Sequence, residues 1–297
     1  MLGRTSRESP AHAALAAQGA GWSGVAPGSP VVSAVLDEST ELLDLGTTAQ
    51  ALATVASIDD LAAVVHVGHP EQPSPALEQA LLAGDPTLLL TAAVPVEPQW
   101  VWVAPPGVVG GQVVVDEAGV RDCADVLRPM GVSPRLVPTA TSVEERAALA
   151  GEQGSLVVER SRVPAGWVEV PGSERLGAGG PVWYGLLEAR RAWPRFTAPA
   201  QVWLAFGPSD DHRGSLLQTL ALLADAGVDL QHLRSHPSAS GPHVFFTSFR
   251  CPDVAVLDAL VDELDGRSVA HRTLAVLPGD GFEPGPDPLA PRWWPAA

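Results

Sequence analysis

Two strand-to-helix turns carry the groups of this sequence best placed for chemistry. One is Arg213-Gly214-Ser215-Leu216-Leu217, after which Leu216, Leu217, Leu220, Leu223 and Ala224 recur at three and four residues as one buried helix face, closed by Gly227. Gly214 has no Cβ, so the chain turns tightly into that helix and leaves backbone N–H groups at its N-terminus open to a ligand; an amino-acid carboxylate suits them. The plainer reading of Gly214 is that it only shapes the turn. The other turn holds Thr139, Thr141 and Ser142, hydroxyls at the place where open α/β sheets bind their ligands. Ser142 with Glu145 also spells a capping box, which occupies its hydroxyl at the helix start. The sequence contains no Gly-x-Gly-x-x-Gly dinucleotide loop, no phosphate-cradling loop ending in Gly-Lys and no Gly-x-Ser-x-Gly elbow.

The elements that position these groups follow from periodicity. Val202, Leu204 and Phe206 alternate with Trp203 and Ala205, and Val228, Leu230 and then Val244, Phe246 predict two further half-buried strands. Val254, Leu257, Leu260, Val261 and Leu264 stripe a second helix, and Val269 to Leu277 is a last strand. The order from Gln201 to Leu277 is therefore βαββαβ, which packs two helices on one face of a four-stranded antiparallel sheet, the ferredoxin-like arrangement. Upstream, Ala11 to Ala17 reads as a helix, Val31 to Leu36 as a strand, and Leu61 to Val67 as a strand buried in a parallel sheet. Helices over Leu77 to Leu82, Val120 to Leu127 and Ser142 to Ala150 alternate with strands at Thr87 to Val94, Trp100 to Val103, Gln112 to Val115, Arg135 to Val137 and Ser155 to Val158. Such alternation predicts an α/β domain with mostly parallel sheets.

At 297 residues the chain is long enough for two domains, and 46% hydrophobic with 18% charged residues is the profile of a folded soluble protein. Thirty-four acidic residues against eighteen basic ones, all of them Arg, give a net charge of −16, so nucleic acid and anionic membranes are not expected as partners. No run reaches the roughly 18 apolar residues of a membrane span, and the N-terminus lacks the layout of a secretory leader; a cytoplasmic protein is expected. Cys123 and Cys251 have neither metal-ligand nor disulfide spacing, and no metal or cofactor is expected.

The wording of these stretches resembles a known family. The turn at Gly214 resembles the Gly-Ala-Leu turn of ACT domains, which bind amino acids, and Arg234-Ser235-His236-Pro237 resembles the Glu-Ser-Arg-Pro motif of the ACT domain fused to prephenate dehydratases. Val64 to Pro70 through Leu82 is similar to the dehydratase segment in which a buried strand ends in Glu-Asn-Ser and leads to a short helix. Val114 to Leu127, with Cys123, resembles its Ser-His-Pro segment, Thr139 to Glu144 its Thr-Ala-Ser-Thr-Ala-Glu, and Leu2-Gly3 the remnant of its opening Leu-Gly-Pro-Glu-Gly-Thr. Pro194-Arg195-Phe196 stands where the family has Thr-Arg-Phe.

The resemblance implies a two-lobe periplasmic-binding-protein-like domain over 1–199, with the second lobe about 94–163 and a hinge near Pro164 to Gly180, followed by an ACT domain over 200–279 and a Pro-rich tail over 280–297. It implies conversion of prephenate to phenylpyruvate, water and carbon dioxide in L-phenylalanine biosynthesis, with a small-molecule acid in the cleft between the lobes. It also implies L-phenylalanine at the ACT domain, bound by Gly214, Ser215, Leu216, Leu217, Ser235 and His236, and a homodimer. Arg195 inherits a catalytic position, as carboxylate fork or merely as a salt bridge, and Thr139, Thr141 and Ser142 a substrate-binding one. His69, in place of the family's Glu-Asn-Ser, is either a replacement acid or a solvated loop residue. The departures are as telling. The motif threonine is Pro194, which has neither side-chain hydroxyl nor backbone N–H to give the departing hydroxyl, and Arg234 replaces an acidic residue. The alternative reading is a non-catalytic pseudoenzyme or a small-molecule-binding regulatory protein.

Overall fold

The computed structural model describes residues 12–15, 41–44, 48–58, 61–97, 99–108, 110–128, 131–138, 141–177, 181–207, 212–237 and 243–279. In chain order the elements are β1 (His12–Leu15), β2 (Glu41–Asp44), α1 (Thr48–Ser57), β3 (Leu61–Gly68), α2 (Pro75–Ala83), β4 (Leu88–Val96), β5 (Trp100–Ala104), β6 (Val113–Asp116), α3 (Glu117–Leu127), β7 (Arg135–Val137), α4 (Val143–Ala150), β8 (Ser155–Glu159), β9 (Val168–Glu169), β10 (Val182–Ala189), β11 (Ala200–Gly207), α5 (Ser215–Asp225), β12 (Leu230–His236), β13 (Val244–Cys251), α6 (Val254–Gly266) and β14 (Ala270–Pro278). Contacts divide the chain into two compact units, Met1–Val67 with Ala93–Ala189, and Gly68–Ala92 with Arg190–Ala297.

The first unit is built as two α/β lobes. In one, strands lie in the order β10-β3-β1-β2, with β1 parallel to both β2 and β3. β3 is buried along residues 61–67, as its apolar run, broken only by His66, predicts. The expected helix over Ala11 to Ala17 is instead strand β1. Alanine's advantage in a helix is a fraction of a kcal/mol per residue, whereas a strand seated between two others satisfies backbone groups on both edges. The predicted strand Val31 to Leu36 lies outside the described residues. The second lobe is a five-stranded sheet in the order β7-β6-β8-β5-β9. β6 runs parallel to β7 and β8, but β5 is antiparallel to both β8 and β9, so this sheet is mixed rather than mostly parallel. Within the stretch expected as a hinge, β9 pairs with β5, and the Ser173 hydroxyl accepts from the Trp102 N–H at 2.9 Å. That stretch is bonded into the lobe's sheet.

The second unit contains the βαββαβ fold that the periodicities predict. Its strands lie in the order β12-β13-β11-β14, antiparallel throughout. On one face α5 and α6 cover Val202, Leu204, Phe206, Phe249 and Val276, with Leu223, Leu257, Leu260 and Leu264 supplied by the helices. α5 ends in a Schellman arrangement: Gly227 has φ +73°, its N–H donates to the Ala224 carbonyl at 2.9 Å, and the Val228 N–H donates to the Leu223 carbonyl at 3.1 Å.

The opposite face of the same sheet is covered by residues 68–92. The indole N–H of Trp203 donates to the Pro70 carbonyl at 2.7 Å, and the Ser248 hydroxyl donates to the Glu71 carbonyl. Gln231 donates to the Glu71 carboxylate at 2.9 Å. From α2, the fully buried carboxylate of Glu78 receives both Arg234 and His236 of β12. Arg272 of β14 closes the other end of that helix, its guanidinium donating to the carbonyls of Leu81, Gly84, Asp85 and Leu88. Among the described residues no helix is long and apolar enough to cross a membrane.

Removing one partner of a buried ion pair leaves the others desolvated and unmatched. Glu78→Ala is therefore expected to lower stability by about 3 kcal/mol, read from urea unfolding; a loss below about 1 kcal/mol contradicts this role for α2.

Candidate functional site

The polar groups that sequence reading singled out are mostly engaged in holding the chain. Ser142 accepts from the Glu145 N–H at 3.2 Å while Glu145 accepts from the Ser142 N–H at 3.0 Å, the capping box of α4. The Thr141 N–H donates to Pro138, and its carbonyl accepts from Nε of Arg146 at 2.8 Å; Thr139 lies outside the described residues. His69 accepts at Nδ1 from the Glu71 N–H at 3.3 Å. Arg195 pairs with Asp258 of α6 at 3.3 Å, and the Trp193 indole donates to the same carboxylate at 3.1 Å. Phe196 is buried in the core of the second unit. The segment 193–196 is thus fastened to α6.

At the second unit's Gly214 the backbone is left-handed, φ +93°, and the space where a Cβ would stand is open. The glycine is there for its conformation. The Ser215 N–H donates to the His212 carbonyl at 3.1 Å, so the donor nearest Gly214 is already satisfied. Leu217 is 71% exposed and Leu216 half-buried. Ser235 is exposed on β12, whereas its neighbours Arg234 and His236 turn to Glu78.

The first unit gathers a different set. His66 of β3 meets Tyr184 of β10 edge to face, ring centroids 5.7 Å apart. Tyr184 is hydrogen-bonded to Arg121 of α3. Arg121 grips the Asp122 carboxylate with Nε at 2.6 Å and Nη2 at 3.2 Å, and Asp122 also accepts from the Trp100 indole of β5 at 3.1 Å. The chain Trp100–Asp122–Arg121–Tyr184–His66 therefore joins the two lobes of this unit. Beside it Asp116, at the end of β6, pairs with Arg146 at 2.6 Å, both almost wholly buried, and accepts from the Gly119 N–H at 2.7 Å. Through Arg146 and the Thr141 carbonyl, Asp116 holds the second strand-to-helix turn.

Burial sets the protonation of this set. It pushes the His66 imidazole down to about 3, helped by the positive charge of Arg121, so His66 is neutral at physiological pH. Its Nδ1 has no hydrogen-bond partner among the described residues. Burial raises the Tyr184 phenol to about 12 and also raises Glu159. For Arg121 burial works against the charge, but the hydrogen bond and negative charge of Asp122 together with Tyr184 outweigh it and hold its proton more firmly than usual. Cys123, pushed up to about 12 mainly by burial, is an inert thiol. Sequence reading missed this site, although two signals were present. His66 interrupts an otherwise apolar strand, and Tyr184 is the single tyrosine of the chain.

Three solved structures place the fold. The chain is similar to prephenate dehydratase from Arthrobacter aurescens in complex with L-Phe (TM-score 0.65, 18% identity, over 90% of this chain and 89% of that one). It is also similar to prephenate dehydratase from Staphylococcus aureus subsp. aureus Mu50 (TM-score 0.61, 10% identity, over 90% and 100%) and to GqqA, a novel type of quorum quenching acylase (TM-score 0.56, 16% identity, over 91% and 98%). No family model and no curated protein matches the sequence. At these identities the likeness establishes a prephenate-dehydratase-like fold, two α/β lobes with a ferredoxin-like domain, and leaves activity to the residues.

His66 accepts its proton in the unfolded chain near pH 6.5 but in the folded one only near 3. Between those values the unfolded state binds more protons, so this contribution to stability is whole above about 6.5 and is lost as pH falls, by about 1.4 kcal/mol per pH unit. Between pH 6.5 and 5 the natural protein is expected to lose about 2 kcal/mol more than His66→Phe in urea unfolding. Parallel pH profiles contradict the assignment of a buried neutral imidazole.

Proposed function

We propose that this chain is a prephenate dehydratase-like protein that does not run the dehydratase reaction and instead binds a small carboxylic or amino acid, with residues 200–279 acting as an ACT-type sensor. Prephenate presents two carboxylates, and each calls for a guanidinium fork or its equivalent. The observation that carries this reading is that the arginines best placed to serve as those forks, Arg121, Arg146 and Arg195, are each paired with an internal carboxylate. In the first unit Arg121 is bound to Asp122 and Arg146 to Asp116, while Arg195 of the second unit is bound to Asp258. The reaction further needs a donor to the leaving hydroxyl, and Pro194 offers none. Beside the first unit's pairs, among the described residues, stands the neutral His66 imidazole with its Nδ1 unmatched, a group suited to an uncharged or singly charged ligand.

The sensor half is supported by the βαββαβ order, by the left-handed Gly214 with open space beside it, and by the similar Arthrobacter aurescens enzyme having been crystallised with L-Phe. Leu217 and Leu233, both exposed, suit this domain to pairing with a second copy as a homodimer. A second reading, dehydratase activity in the cytoplasm, draws on a fold shared over nine-tenths of both chains. GqqA, similar over as much of this chain, is an acylase, so the scaffold alone does not select one chemistry.

Prephenate turnover by the purified protein and by Pro194→Thr, with calorimetric titration of L-phenylalanine on the same preparations, tests both halves. The expected outcome is no turnover by either protein and a binding heat that Leu217→Glu weakens at least about tenfold by setting a carboxylate beside the ligand's own. Turnover comparable to an ordinary dehydratase overturns the first half, and no heat with any amino acid overturns the second.

A further inference from the structure

Of the links in the chain Trp100–Asp122–Arg121–Tyr184–His66, one passes from lobe to lobe. Trp100, Asp122 and Arg121 all belong to the second lobe of the first unit: β5 is a strand of its sheet, and α3 packs on that sheet through Ala118, Cys123 and Leu127. Tyr184 and His66 stand on β10 and β3, neighbouring strands of the other lobe, and meet there ring to ring. The hydrogen bond between Arg121 and Tyr184 is the link that crosses.

Parting the lobes at this point breaks that bond and leaves both halves whole. Arg121 keeps its two bonds to Asp122, and Tyr184 keeps the His66 ring. The groups that come into water are a guanidinium, a carboxylate, a phenol and an imidazole, which water solvates well, whereas an apolar seam resists exposure. The bond across the junction is of the stronger kind. Burial and the charges of Asp122 and Glu159 push the Tyr184 phenol up to about 12 against the pull of Arg121, so it meets the guanidinium as a neutral hydroxyl accepting a charge-assisted hydrogen bond. His66 is only 6% exposed, and the charges of Arg121 and Asp122 reach it from the second lobe. Its cover therefore includes that lobe.

We propose that the Arg121–Tyr184 bond is a latch: it holds the two lobes of the first unit together over His66, and the imidazole is reached from solution only when the bond opens. A small molecule then gains His66 either by competing with the phenol for Arg121 or by entering while the lobes are apart. The latch is made of the chain's own residues and holds whatever that molecule is, so it does not rest on the proposed function.

Carbethoxylation of the full chain by diethyl pyrocarbonate at pH 7 tests the latch, because the reagent acylates neutral imidazoles that it can reach. The rate at His66 is read by peptide mass spectrometry relative to the exposed His212, and small-angle X-ray scattering gives the radius of gyration of the same samples. Tyr184→Phe keeps the ring beside His66 and removes only the hydroxyl. It is expected to raise the relative rate at His66 about tenfold or more, the worth of a charge-assisted hydrogen bond, and to enlarge the radius of gyration. Trp100→Phe breaks a link that lies wholly within the second lobe and is expected to change neither. An unchanged rate at His66 in Tyr184→Phe overturns the proposal. So does a faster rate with no change in the radius of gyration, which is local exposure without parting of the lobes, or an equal rise in Trp100→Phe, which is general loosening.

Discussion

A carboxylate taken out of water must bring a cation with it, and this constraint recurs in both units of the chain. Asp116 is buried with Arg146, Asp122 with Arg121, and Glu78 with Arg234 and His236. Each pair also does architectural work. Asp116 and Arg146 hold the turn into α4, Asp122 and Arg121 link the lobes through Trp100 and Tyr184, and Glu78 binds α2 to the sheet of the ferredoxin-like domain. Such pairs add little net stability over an apolar replacement, but breaking one is costly, so the arginines in them are committed. The proposed function rests on that commitment, because a guanidinium held by an internal carboxylate is less available to a dianionic substrate.

The same constraint is the ground on which we propose that this chain does not run the reaction of the dehydratases whose fold it shares. A fold shared with prephenate dehydratases is compatible with an interior whose charges cancel one another. The neutral His66, held in that state by burial and by Arg121, stands beside Tyr184 with its Nδ1 unmatched among the described residues.

How legible this was in the sequence depended on the range of the interaction. The helices and strands of 201–277 were readable because alternation in β11 and the three-and-four spacing in α5 and α6 are local, and Gly227 closes its helix as a lone glycine there predicts. β1 was misread because alanine-rich composition favours a helix while pairing with β2 and β3, set by residues far along the chain, decides otherwise. β10 went unseen because Gly185 and Glu188 blur its alternation. The capping role of Ser142 was visible at a spacing of three. The partners of Glu78, more than 150 residues away, and the meeting of His66 with Tyr184 were not, since nothing local marks which distant side chain a buried charge or ring will find.

Prephenate binding by calorimetry, compared between the natural protein and Asp122→Asn, measures most directly whether the arginines are committed. Asparagine keeps an acceptor for the Trp100 indole but removes the charge that holds Arg121. No binding to the natural protein and a measurable gain in the variant is the predicted result. Tight binding to the natural protein that Asp122→Asn weakens would contradict the account.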